Sequence, residues 1–122
     1  MQILIRIADI TLTDSLRDTP TAQAILTALP IESRAQTMGE EVYFSTPVNV
    51  DLEPDARDVV EAGELAFWVE GSCIAIGFGP TPISQGNEIR LAARTNIWAD
   101  TQDDVRKLIT IQAGDSIHIE VL

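Results

Sequence analysis

Arg34 and Gln36 stand two positions apart in a β-prone stretch, so on an extended strand both side chains would leave from one face. A guanidinium fork beside a primary amide can hold a carboxylate, a carbonyl or a peptide group, although an outward-facing surface pair explains the same residues more plainly. Glu40 and Glu41 are adjacent, so a strand sends them to opposite faces and they cannot act together as general acid and base on one substrate. Glu41, or Glu40, is then a candidate ligand contact, with a solvated face or turn as the alternative. All six aromatic residues, Tyr43, Phe44, Phe67, Trp68, Phe78 and Trp98, fall on or beside expected strands. Phe44, Phe67 and Phe78 suit core packing, and Phe78 can also face a cleft. Tyr43, Trp68 and Trp98 carry polar tips that need a partner, which makes them candidates for lining that cleft.

Other chemistry-bearing residues support less. Ser45-Thr46-Pro47 and Pro80-Thr81-Pro82 place hydroxyls beside rigid turns, where turn formation accounts for them. His118 shares a strand face with Ser116 and Glu120, opposite Ile117 and Ile119, and no Ser or Cys nucleophile lies near it in sequence. Gly77-Phe78-Gly79 lacks the third glycine and the following helix of a dinucleotide site. Cys73 is the sole cysteine, with no Cys or His at metal-ligand spacing, so neither a disulfide nor a zinc framework is expected. No metal or organic cofactor is implied.

The elements that must position these residues alternate between two periods. Ile3, Ile5 and Ile7 share one face of a first strand, and a second short strand over Asp9 to Thr13 returns as a hairpin. Thr19 as N-cap, Pro20 at the first helical position and Ala22, Ile25, Leu26 and Leu29 at helical spacing predict an amphipathic helix that stops at Pro30. Strands follow over Ile31 to Gln36 and Glu41 to Phe44, then an irregular acidic connection over Asp51 to Ala62 with a weak helical signal near Ala56 to Val60. Gly63 to Val69 and Cys73 to Phe78 read as a hairpin, and Ala92 to Ala99 as a later strand. Thr101 can cap a short helix, and Ile117, Ile119 and Val121 share one face of a last strand.

Few of these strands are separated by helix-length crossovers, so a mostly antiparallel sheet is expected, closed into a barrel of about eight strands with two helices at its ends. A length of 122 residues suits one domain over 1–122. The balance of 8 Lys and Arg against 19 Asp and Glu, a net charge of -11, repels phosphate backbones and anionic lipid. Nucleic-acid and membrane partners are therefore not expected. The N-terminal MQILIRIADI lacks the features of a secretory signal, and a cytoplasmic location is the default expectation.

Four strings carry a resemblance: GEEVYFSTPV from Gly39, GELAFW from Gly63, GFGPTP from Gly77 and TNIWADTQDDVRKL from Thr95. With the element order, they make the chain resemble the small bacterial and archaeal cyclophilin-like proteins of uncharacterised function, over nearly its whole length. GELAFW and Ile74 to Phe78 look like central strands of the cyclophilins themselves. The resemblance implies a cyclophilin-like β-barrel. Cyclophilin isomerases hold a proline peptide in an apolar pocket and polarise the twisting amide with an arginine, helped by a glutamine and an aromatic wall. On the strand that ends at Gly39 this chain offers Arg34 as that catalytic residue, while the apolar and glutamine positions read Glu40, Glu41, Val42 and Tyr43. The expectation is a cleft built from Arg34, Gln36, Glu41, Tyr43, Phe78, Trp68 and Trp98 that holds a small molecule or a proline-containing peptide without transforming it. A weak peptidyl-prolyl isomerase and an assembly role through exposed aromatic strands are the alternatives.

Overall fold

The computed structural model describes residues 1–122. In chain order its elements are β1 (Gln2–Ile7), β2 (Ile10–Leu16), α1 (Pro20–Ala28), β3 (Ile31–Arg34), β4 (Gln36–Thr37), β5 (Glu41–Ser45) and β6 (Arg57–Val60). Then come β7 (Glu64–Trp68), β8 (Cys73–Gly77), β9 (Ile89–Thr101), a 3-10 helix over Val105–Thr110 and β10 (Ser116–Val121). Nine strands run in the order β3-β10-β1-β2-β9-β7-β8-β5-β4, and β6 pairs with β9 off this path. Every pairing is antiparallel. The two ends of the path, β3 and β4, are consecutive in the chain, so the sheet curls into a nearly closed barrel. Across the seam the Ser33 hydroxyl donates to the Ser45 carbonyl at 2.8 Å.

Period-2 alternation fills the interior. Ile3, Ile5 and Ile7 of β1, Val42 and Phe44 of β5, Leu65 and Phe67 of β7, Ile74 and Ile76 of β8, and Ile117 and Ile119 of β10 all join one buried cluster. Thr19 caps α1 by accepting from the Ala22 amide at 3.1 Å, with Pro20 at the first turn, as the sequence predicts. The helix packs on β9, where the buried Thr21 hydroxyl accepts from Asn96 Nδ2 at 2.9 Å. Asn96 also binds the Asp51 carbonyl and the Glu53 amide, which pins the long connection after β5 to the barrel wall.

Five elements differ from expectation, among them β9, which runs over Ile89–Thr101 rather than Ala92 to Ala99. The stretch from Ile31 to Gln36 is not one strand: the Ala35 amide and carbonyl are taken by Asp115 and Gly114, and this buried residue carries the chain from one sheet edge to the other. The acidic connection contains β6, because Val60 packs its side chain into a second apolar cluster and overrides the weak helical signal. Thr101 does not cap the short helix. Its hydroxyl donates to the Thr13 carbonyl at the end of β9, and Asp104 is the cap, accepting from the Arg106 amide at 3.0 Å. β2 extends to Leu16, beyond the expected hairpin.

Candidate functional site

On β5, β8 and β7 the residues between the inward-facing ones form an outer face. Glu41 stands opposite Gly77 and Tyr43 opposite Ala75 across β5 and β8, and Trp68 stands opposite Cys73 across β7 and β8. This face is not open to solvent along its whole length, because the first half of β9 and the β6 strand fold over it. Val60, Ala66, Ala75, Ile89, Leu91 and Ile97 pack there, with Tyr43 against them. Gly77 makes the overlay possible: a Cβ at that position would overlap the Ile89 side chain.

A hollow remains between the layers. β6 and β9 lose register between Arg57, which pairs with Thr95, and Val59, which pairs with Arg90. The segment from Leu91 to Arg94 thus stands opposite the single residue Asp58, and the surplus chain bows away from the face below. The resulting pocket, about 120 Å³, has Glu41, Tyr43, Trp68, Cys73 and Ala75 as its floor and walls. Leu91, Ala92, Ala93 and Thr95 form its roof, and Met38 closes one side. Small side chains at Ala75, Ala92, Ala93 and Cys73 keep it empty. The Trp68 indole lies over Gly71, where any side chain would displace it.

Glu41 is the acidic exception in this mostly apolar setting, where Thr95 is polar too, its hydroxyl donating to the Arg57 carbonyl. Its carboxylate is buried, 6% exposed, and Oε1 has no hydrogen-bond partner. Burial pushes its pKa from the usual carboxylate range up to about 7. Burial also raises the Cys73 thiol, whose Sγ lies 3.3 Å from the Gly71 carbonyl, so it stays protonated.

Glu40, just before β5, points the other way. Its carboxylate meets Arg106 Nη1 at 3.1 Å, and the same nitrogen donates to the Phe78 carbonyl at 3.0 Å. This joint brings together the two glycine-containing strings. The Glu40 amide donates to Pro80 and the Phe78 amide to Glu40, while Gly39, at φ +58°, packs its backbone on Thr81 and Pro82.

Of the residues expected in one cleft, Glu41, Tyr43 and Trp68 meet in the pocket. The other four do not. Trp98 is fully buried inside the barrel, its Nε1 satisfied by the Ala66 carbonyl at 3.2 Å. Phe78 is a core residue with the Arg106 guanidinium 5.8 Å from its ring centroid. Gln36 is exposed on β4, paired with Tyr43 but outside the pocket. Arg34 is on β3 and exposed, donating to the Gly114 carbonyl at 3.2 Å; it lines a separate polar groove with Arg6, Glu32, Ser116 and His118. The turn at Ala35 separates it from Gln36, and Ala35 itself is buried in the core. What sequence reasoning missed is the roof, whose signal is the run of small residues Ala92-Ala93 interrupting the apolar alternation of β9.

A nearly closed antiparallel barrel with a helix and a 3-10 turn packed on it is a cyclophilin-like fold. The chain belongs to the family described as Cyclophilin-like, whose profile matches residues 1–120. It is also similar to a hypothetical protein of Archaeoglobus fulgidus, AF2241, known from its solution structure. The two share 35% identity and a TM-score of 0.84, with 100% of this chain and 95% of that one covered. No curated protein matches the chain significantly.

Proposed function

We propose that the protein is a non-catalytic binding module whose ligand, a small molecule or one apolar group of a proline-containing peptide, occupies the pocket roofed by β9. The observation that carries this reading is the buried Glu41 carboxylate, its Oε1 unpartnered, in the lining of a mostly apolar hollow. Buried polar groups are nearly always satisfied, so a carboxylate without a partner in the wall of a pocket marks a place where another molecule can supply one. Isomerase chemistry draws no support from Arg34, which shares no groove with the pocket. An assembly role through aromatic strands draws little, since Trp68 is the one aromatic among the large exposed apolar residues.

The test is a fragment titration followed by amide chemical shifts, comparing the protein with Ala93→Leu, which adds three carbons to the roof. Binding is expected to perturb Glu41, Tyr43, Ala75 and Ala93 and to vanish in the variant. Shifts that cluster around Arg34 and His118 instead would move the site to the other groove.

A further inference from the structure

The pocket has an acid but no base. Glu41 shares it with Tyr43 and Cys73 as the other titratable groups, and no Lys, Arg or His lines it. Cations on the surrounding elements are engaged elsewhere. Arg106 is held by Glu40 and the Phe78 carbonyl, and Arg90 by Glu88 and Asp58. Arg57 is held by Glu64, and Arg94 Nε donates to the Ala56 carbonyl. No cation on these elements is therefore free to meet Glu41.

We infer that the pocket recognises an ammonium group: it takes a small amine whose charged nitrogen meets the Glu41 carboxylate and whose apolar body lies among Tyr43, Trp68 and Ala75. This rests on the reading of the pocket as a binding site. Three observations select a cation over a neutral or anionic group. A carboxylate in the pocket wall whose Oε1 lacks a partner makes its strongest hydrogen bond to a charged donor. The two aromatic walls add π-systems that favour a cation. A net charge of -11 draws cations and repels anions. Size limits the body: at about 120 Å³ the pocket is smaller than the apolar cavity of about 150 Å³ that takes benzene, so it suits a short chain or a ring that enters in part. With an ammonium in place the carboxylate keeps its charge, so binding releases a proton from molecules that held Glu41 protonated. A neutral ligand releases none.

Calorimetry at about pH 8, where a benzylic amine is charged, tests this with benzylamine, benzyl alcohol, benzoate and Nα-acetyl-lysine methylamide on the protein and on Glu41→Gln. Benzylamine is expected to bind roughly tenfold tighter than benzyl alcohol, the difference between a charged and a neutral hydrogen bond. In Glu41→Gln that advantage disappears while alcohol binding persists, which also shows the pocket intact. Benzoate is expected not to bind. A capped lysine tighter than benzylamine would assign the ammonium to a polypeptide side chain, and the reverse to a free amine; both support ammonium recognition. Alcohol and amine binding equally, or amine binding indifferent to Glu41→Gln, overturns the ammonium inference and leaves the binding pocket standing. If none of the probes binds, both readings fall.

Discussion

Two carboxylates are buried without partners, and they carry the sharpest predictions about single side chains. Asp14 follows Leu12 on the inward face of β2, is fully buried, and has neither oxygen hydrogen-bonded. Burial, with the nearby Asp103 adding to it, pushes its pKa up to about 8. A group whose folded pKa lies above its unfolded value contributes stability that is full below the unfolded pKa and lost as pH rises through the folded one. For Glu41, raised to about 7, the stability lost on the way from acid to neutral pH is up to roughly 3 kcal/mol. Glu41→Gln should therefore gain stability relative to the natural chain as pH rises from about 4.5 to about 8, and denaturant unfolding at the two ends measures it. Asp14→Asn should behave likewise, with the gain extending to higher pH. A difference between variant and natural chain that does not change with pH would show that these carboxyls ionise as freely when folded as when unfolded.

Among the elements, β9 decides what the site can be. Its second half pairs with β7 and β2 in the barrel wall, and its first half lies over the outer face with β6. One strand thus serves as both wall and roof, and Gly77 is the point where the roof comes down. Gly77→Ala should cost about 1–3 kcal/mol through overpacking against Ile89 and lift the roof, so that the amides of Ile89 to Ala93 exchange faster with solvent while those of β1 and β10 do not change. Uniform protection across β9 in this variant would show that the overlay adapts to a methyl group. The 3-10 helix is tied to the site less directly: its Arg106 holds Glu40 away from the pocket, beside the Phe78 ring.

For the molecule as a whole, opposing carboxylates set the pH of greatest stability. Glu64 hydrogen-bonds Arg57 and also meets Arg17, and the Arg57 contact foremost holds its pKa down at about 2. Its contribution is present above the usual carboxylate pKa and lost as pH falls through about 2. Asp14 and Glu41 act in the opposite sense, losing stability as pH rises through about 8 and about 7. The melting temperature is thus expected to peak near about pH 4–5 and to fall toward about pH 8. Repulsion within a chain of net charge -11 pushes the same way. Salt separates the two causes, because about 0.5 M salt screens surface charge and leaves buried groups untouched. The fall should survive salt in the natural chain and flatten in the Asp14→Asn, Glu41→Gln double variant.

Alternation and capping residues were sufficient to locate β1, β5, β7, β8, β10 and α1 and to set Glu40/Glu41 and Phe67/Trp68 facing opposite ways, because period and cap chemistry are local properties of the chain. That Glu41, Tyr43 and Trp68 were candidates also followed from residue type. Their convergence did not, nor did the exclusion of Trp98, Phe78, Gln36 and Arg34. Those outcomes depended on a turn at Ala35 made by bonds to Gly114 and Asp115, far away in sequence, and on which strand face the β9 bulge came to cover. A strand's sequence states which residues share a face; only the closed sheet decides whether that face meets core, solvent or a second layer.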